Sequence, residues 1–463
     1  MRVALGPFER WKGCCLLLAA LLLPASNARA QEKDADGLVD YDAPNPNRTA
    51  VHYARGAANV ALINWTIWQI AWLRHKDWAP VDRQSIERNL HSGFEFDVDT
   101  LRTNFFGHPY HGGLQFNAAR GAGLSFWESC LYLAAGSLTW EYFSEREKPS
   151  YNDLVATTLG GVMLGEVTFR LSSAILNDTK SGGTRLFRES AAFAVDPMRG
   201  FNRVYTGQAW HDGPGPRRHP LRLELDMGVD RVRATEQDDS LDGGRPAPLL
   251  AVDADYGDLL PIGKRTTIQP FEFFEFYGAM NLFNGELNGE QVYGTGLLFG
   301  FSDDLSNEPG RLRDNNVFGF AINYEYVGAN FATYSGFGVG PADHVMFRFG
   351  AKRSLRLSLG FDAVPILAAS TPVITLPDRD YNFATGIAPW AGVKLRMGPF
   401  GELGMRTRHY ISTVIDGKAG DEFVGSMRLW YELDLIGDVA VGVAPTLIYR
   451  RGYYRDLPDY SAQ

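Results

Sequence analysis

Beyond residue 218 the chain alternates apolar and polar side chains with a period of two, and few folds accommodate that pattern repeated so often. Leu221, Leu223, Leu225, Met227 and Val229 alternate with Arg222, Glu224, Asp226, Gly228 and Asp230. Phe318, Phe320, Ile322, Tyr324 and Tyr326 alternate with Gly319, Ala321, Asn323 and Glu325. Leu355, Leu357, Leu359 and Phe361 do so with Arg356, Ser358, Gly360 and Asp362, and the stretches Ile387 to Met397 and Met427 to Asp434 repeat the theme. Successive side chains of a strand point to opposite faces, so each stretch is a strand with one apolar and one polar face. Roughly 12 such segments, each near the length of a tilted membrane strand, predict an antiparallel barrel.

Two architectures share this alternation. A soluble barrel or sandwich packs the apolar face inward, whereas an outer-membrane barrel turns it to lipid around a polar lumen. Three features favour the membrane form. The polar face is small and charged, and aromatics crowd strand ends, as in Trp430-Tyr431 and Tyr453-Tyr454. Short turns at Asn284-Gly285, Gly398-Pro399 and Gly437-Asp438 interleave with longer polar loops near 303–315, 368–380 and 415–421. Arg222, Glu224, Asp226, Arg356, Arg396, Arg406, Arg408 and Arg428 would line the lumen.

The beginning of the chain supports export. Arg2, Arg10 and Lys12 precede the apolar stretch Cys14 to Leu23, and Ala28-Arg29-Ala30 supplies a small-residue cleavage site, so residues 1–30 read as a signal peptide. Cleavage leaves Cys130 as the sole cysteine, which rules out an internal disulfide. A net charge of −9 argues against nucleic acid as a partner. The expected location is the outer membrane of a Gram-negative cell, with outer-membrane lipid and the barrel-assembly machinery as partners.

Residues 31–49 read as a flexible lead, 50–213 as a helical domain that plugs or caps the barrel, and 214–463 as the barrel itself: an α+β chain. Val51 to Leu73 holds a 17-residue uncharged run interrupted by Asn59, Asn64 and Gln69, which favours a buried or interfacial helix over a spanning one. Helices follow over Leu124 to Phe143 and Tyr151 to Leu176, with Ser150 placed to cap the second. Gly161-x-x-x-Gly165 and Ala134-Ala135-Gly136 permit close helix approach. A single amphipathic stretch is expected over Arg185 to Tyr205.

Polar residues embedded among small and apolar ones mark residues 104–170 as the most specific stretch. His108, Glu128, Glu141, Asp153 and Glu166 are the catalytic candidates, and Arg120, Glu166 and Arg170 the candidate structural network. His108-x-x-His111 falls in a Pro/Gly-rich segment and reads as a loop. No third ligand stands at a diagnostic spacing, so no metal or cofactor is expected. Glu166 and Arg170 are spaced for an intrahelical ion pair. Glu128 and Glu141 are 13 residues apart and point to different sides of a helix, so any carboxylate pair must form between helices. Asp153 sits in a first helical turn, where the dipole alone accounts for it. Arg120 with Glu128 or Glu141 reads as a buried network fixing the helix packing. No Gly-x-Ser-x-Gly elbow, Walker loop or dinucleotide fingerprint is present.

The segments GHPYHGG, AARGAG-x-x-FWES, TWEYF-x-E-x-E-x-PS-x-x-D and GG-x-x-x-GE-x-x-x-R, with DPMRGFNRVYTG after them, resemble a Gram-negative family known only as a domain of unknown function. The likeness covers about residues 80–207. It implies exported, membrane-associated proteins with a β-rich C-terminal part, and no activity. The expected function is a non-enzymatic outer-membrane channel or lipid-handling protein. The alternatives are a lipid-modifying or hydrolytic enzyme at the membrane surface and a soluble periplasmic β-sandwich that binds a ligand.

Overall fold

A computed structural model of the chain describes residues 37–231, 246–257, 259, 266–283, 286–304, 314–329, 332–350, 352–370, 376, 379–455 and 459–462. The expected signal peptide, the first residues of the lead, the Asn284-Gly285 turn and parts of the 303–315 and 368–380 loops lie outside them. The chain divides into two compact units. One comprises the residues up to Asp97 and His108–Arg218, the other Val98–Gly107 and His219–Gln463.

The first unit is helical: α1 (Ala50–Leu73), α2 (Arg83–His91), α3 (His108–Gly121), α4 (Phe126–Phe143), α5 (Tyr151–Ile175), α6 (Gly182–Val195) and α7 (Pro197–Tyr205). Ser150 caps α5 by accepting from the Asp153 amide, as its position predicts. A Cβ on Gly161 would lie 2.6 Å from the Gly112 carbonyl carbon, and one on Gly165 would lie 2.7 Å from the Phe116 ring. The small-residue stripe therefore lets α3 and α5 cross in backbone contact. Gly136 of α4 likewise admits Val60 of α1.

That crossing explains one departure from expectation. His108 and His111 lie on α3, not in a loop. Pro109 lies just beyond the π-helical turn Thr103–Gly107, which runs into α3, and Gly112, a weak helix former, is needed for the close approach to α5. Packing overrides local propensity here. The stretch expected as one amphipathic segment over Arg185 to Tyr205 breaks into α6 and α7 at Asp196-Pro197. Proline suits the first position of α7, and the Asp196 side chain caps it by accepting from the Arg199 amide at 3.0 Å.

Asp196 is fully buried, and burial pushes its carboxyl up to about 6. Its folded value lies above the unfolded one near 3.9, so the folded state binds the proton more tightly and this group's contribution to stability falls as pH rises from about 4 to 6. Asp196→Asn is expected to flatten that window by an amount on the order of 2 kcal/mol while keeping an N-cap. Unfolding of both proteins at pH 4.5 and 7 checks it.

α1 has one buried side, with Asn59, Val60 and Asn64, and leaves Leu62, Trp65, Ile70, Trp72 and Leu73 exposed. Among the described residues, α5 is the one helix long and apolar enough to cross a membrane by length and composition. Some 78% of its apolar window is buried, as in a core helix.

In the second unit, fourteen strands among the described residues form one antiparallel sheet. They are β1 (Leu221–Asp230), β2 (Ala247–Tyr256), β3 (Thr266–Ile268), β4 (Phe274–Phe283), β5 (Glu286–Asp304), β6 (Asp314–Ala329) and β7 (Ala332–Arg348), then β8 (Arg353–Ser370), β9 (Tyr381–Met397), β10 (Glu402–Asp416), β11 (Gly420–Asp434), β12 (Ala440–Val443), β13 (Thr446–Tyr454) and β14 (Tyr460–Ala462). They pair in chain order, except that short β3 joins β5 and short β12 joins β11 off the main path. The helical region followed by an antiparallel sheet is the order that the change of period predicts. The Gly398 and Gly437 turns are in place, both with positive φ.

The sheet is curled. Arg222 of β1 pairs with Glu402 of β10, eight strands along the path, where a flat sheet would hold the two about 38 Å apart. Arg356 of β8 reaches Asp255 of β2 at 3.1 Å and Glu275 of β4 at 2.6 Å, and Lys394 of β9 meets Asp255 at 2.7 Å. The concave face is thus polar. Among the described residues no ladder joins β1 to the far end, so the sheet is curled but not closed.

The convex face is apolar and largely bare: Leu225 is 77% exposed and Met227 86%, with Phe299, Phe301, Phe318, Phe320, Leu359 and Phe361 also exposed. At one end of β6–β9 residues 98–107 cover it. Phe105 stacks on Phe337 at 5.7 Å and lies 6.1 Å from Phe383, and Tyr324 donates to the Phe105 carbonyl. Asn104 donates to the Tyr381 hydroxyl at 2.8 Å, and Arg102 pairs with Glu290 at 2.6 Å. Tyr324 and Tyr326 are buried although they share a face with exposed Phe318 and Phe320. The paired aromatics expected at strand ends are corrected by the same periodicity. Tyr431 is exposed, but Trp430 turns inward and donates to Glu402 at 3.2 Å, because adjacent residues cannot share a face.

Candidate functional site

Two of the buried polar groups in the helical unit contain catalytic candidates. The first is the network built on Glu166 of α5, which is fully buried and held between two guanidinium groups. Arg120 of α3 makes a two-pronged pair with it at 2.8 and 2.9 Å. Arg170, one turn along α5, pairs with it at 2.9 Å and lies 3.5 Å from Asp42. The intrahelical pair is as its spacing predicts. Arg120, however, reaches neither Glu128 nor Glu141; its remaining donors go to the Leu124 and Asp42 carbonyls at 3.1 and 2.9 Å. With its acceptor oxygens engaged by arginines from α3 and α5, Glu166 ties those helices together.

Glu128 belongs to neither group. It closes a capping box at the start of α4, accepting from the Ser125 amide at 2.7 Å, and it receives the Tyr53 hydroxyl at 2.7 Å beside Arg48 at 3.3 Å. It is a partly exposed helix-start residue.

The second group brings together three of the five catalytic candidates. His108 at the start of α3, Glu141 near the end of α4 and Asp153 in the first turn of α5 place one ligand atom each within 4.8 Å of one another. All three are buried. His108 Nε2 lies 3.5 Å from an Asp153 oxygen, and its Nδ1 lies 3.2 Å from the Thr157 hydroxyl. Glu141 Oε2 accepts from the Ser150 amide at 2.7 Å, while Oε1 has no hydrogen-bond partner among the described residues. Asn152 braces the group by donating to Asp153 at 2.9 Å and to Asp97 at 3.3 Å. The carboxylate pair that had to form between helices does so here, between α4 and α5.

Burial dominates the electrostatics. It pushes the Glu141 carboxyl up to about 8 and raises Asp153 well above the usual carboxylate range, with Asp97 and Glu141 adding repulsion at Asp153. It lowers the His108 imidazole, which the Asp97 charge partly opposes. His111 stands apart: its Nε2 meets the Asn64 amide oxygen at 2.9 Å and its ring lies edge-on to Trp140 at 4.6 Å. Burial takes its imidazole down to about 3, so it serves as a neutral hydrogen-bonding core residue.

Asn152 and Thr157, which orient this group, are not among the sequence candidates, and Ser150 is read there only as a helix cap. The i, i+4 spacing of Asp153 and Thr157 on one helix is the signal that was there to find.

Residues 93–198 match a family described as a domain of unknown function, DUF3943. The matched span contains all of α3, α4 and α5, both polar groups and the 98–107 segment of the sheet unit. No curated protein and no solved structure matches the chain.

Proposed function

We propose that the sheet unit is an integral outer-membrane β-barrel whose interior is filled by its own ion pairs, and that the protein is a non-enzymatic membrane scaffold that handles lipid. The observation that carries this reading is the inverted distribution of polarity. The convex apolar face is exposed and the concave face holds the charges. Water would penalise that arrangement and lipid would reward it, at about 25 cal/mol for each Å² of apolar surface removed from water. A soluble sandwich would bury the face that carries Leu225, Met227 and Phe318.

The filled interior favours a scaffold over a pore. Arg408 with Asp362 and Arg450 with Glu422 are almost wholly buried pairs on the concave side. Arg406 lies over Tyr293 at 3.4 Å and Arg428 over Tyr277 at 3.8 Å, so cations and rings occupy the space that an open channel needs. The long strands β5–β11, of 15–19 residues, exceed the roughly 9–11 residues that a tilted membrane strand requires. The covered end of β6–β9 then projects beyond the apolar band.

Two measurements test this. In outer-membrane fractions the unheated protein is expected to run faster on a gel than the boiled one, and in planar bilayers it is expected to show no steady conductance. Recovery in the soluble fraction with no mobility shift would remove the barrel. Stable single-channel steps from the intact protein would remove the scaffold and restore the channel.

A further inference from the structure

The group of His108, Glu141 and Asp153 is expensive as it stands. Two carboxyl groups and an imidazole are buried together among helices, and one carboxylate oxygen, Glu141 Oε1, is buried without a hydrogen-bond partner among the described residues. A buried acceptor left unsatisfied costs about 1–3 kcal/mol, and more when it is charged. The Arg120–Glu166–Arg170 network shows that this unit supplies arginines to a buried carboxylate; among the described residues neither Glu141 nor Asp153 forms an ion pair with arginine or lysine.

We propose that His108 Nε2, Glu141 Oε1 and an Asp153 oxygen form a binding site for one first-row divalent cation. Three features support this. Ligands about 2.1 Å from a tetrahedral ion stand about 3.4 Å from one another, and the His108–Asp153 pair is already 3.5 Å apart. The remaining separations, up to 4.8 Å, close by small side-chain rotations. The outer groups also suit a metal centre. His108 Nδ1 is directed at Thr157, as a ligating imidazole directs its second nitrogen to an acceptor, and the carboxylates are held by the Ser150 amide and Asn152. The three ligands come from the starts of α3 and α5 and the end of α4, so a bound ion would tie those helices together.

The donor set narrows the ion. One imidazole with two carboxylates and no thiolate suits zinc, manganese or ferrous iron. Calcium takes six to eight oxygens, and magnesium prefers oxygen and retained water. The site does not depend on the barrel reading.

The test uses untagged full-length protein in detergent, stripped with a chelator, with zinc and manganese salts as probes. One equivalent is expected to bind and to raise the melting temperature of the helical signal. Glu141→Gln and His108→Gln are expected to weaken binding at least a hundredfold, Thr157→Val about tenfold and Glu128→Gln not at all. Thr157→Val and Glu128→Gln leave every ligand in place, so they read the site even if a ligand variant misfolds. Folded wild-type protein that takes up no zinc or manganese at micromolar concentration would overturn the proposal. So would binding that is unchanged in Glu141→Gln and His108→Gln.

Discussion

Glu166→Ala is expected to destabilise the helical unit by about 3–5 kcal/mol, measured by urea unfolding of the intact protein in detergent and followed by far-UV circular dichroism. Arg120 and Arg170 meet at this carboxylate from two helices, and each is almost fully buried. Without it two guanidinium charges remain in the interior, and desolvation that was offset becomes uncompensated. Arg170 keeps the more distant Asp42, at 3.5 Å, and Arg120 keeps backbone carbonyls. Replacing the pair together, Arg120→Met with Glu166→Leu, is expected to cost less than Glu166→Ala alone, because the apolar pair carries no desolvation penalty. A double variant as unstable as the sum of its parts would show that the network is not acting as a unit.

Gly112→Ala is the second large effect expected, about 3 kcal/mol or more. The added Cβ would overlap the Thr157 carbonyl oxygen, which is backbone and cannot rotate away, so α3 and α5 must separate. Separation would also pull His108 away from Asp153, since His108 and Gly112 are one turn apart on α3. Gly183→Ala is the matched control. That glycine lies in α6 with open space where a Cβ would go, and the change is expected to be neutral or stabilising by up to about 1 kcal/mol. If both variants melt alike, the helix crossing is looser than the backbone contacts imply.

Much of the fold was legible because its signals are local. The alternation at Leu221–Asp230 or Leu355–Asp362 is a property of consecutive residues, and so is the capping position of Ser150. The pairing of Glu166 with Arg170 needs only the geometry of one helix turn. The failures share a different character. Gly112 looks like a loop residue because its low propensity is a local fact, while its reason for being there is a neighbouring backbone 45 residues away in sequence. Trp430 looks like a girdle aromatic until its partner Glu402, 28 residues away, turns it inward.

The same division holds for the candidate site. Residue types in residues 104–170 single out His108, Glu141 and Asp153, but nothing in their spacing joins them, because they sit on three helices whose crossing angles are set by packing. His111, next to His108 in sequence and more conspicuous in the motif, is taken instead by Asn64 and Trp140. The sequence by itself determined where helices give way to strands and which face of each strand is apolar, since both are periodicities along one chain. Only the tertiary structure decided which carboxylate Arg120 meets, that the sheet curls until Arg222 reaches Glu402, and that a histidine and two acids converge. Each of those depends on contacts between residues far apart in sequence, to which local periodicity is blind.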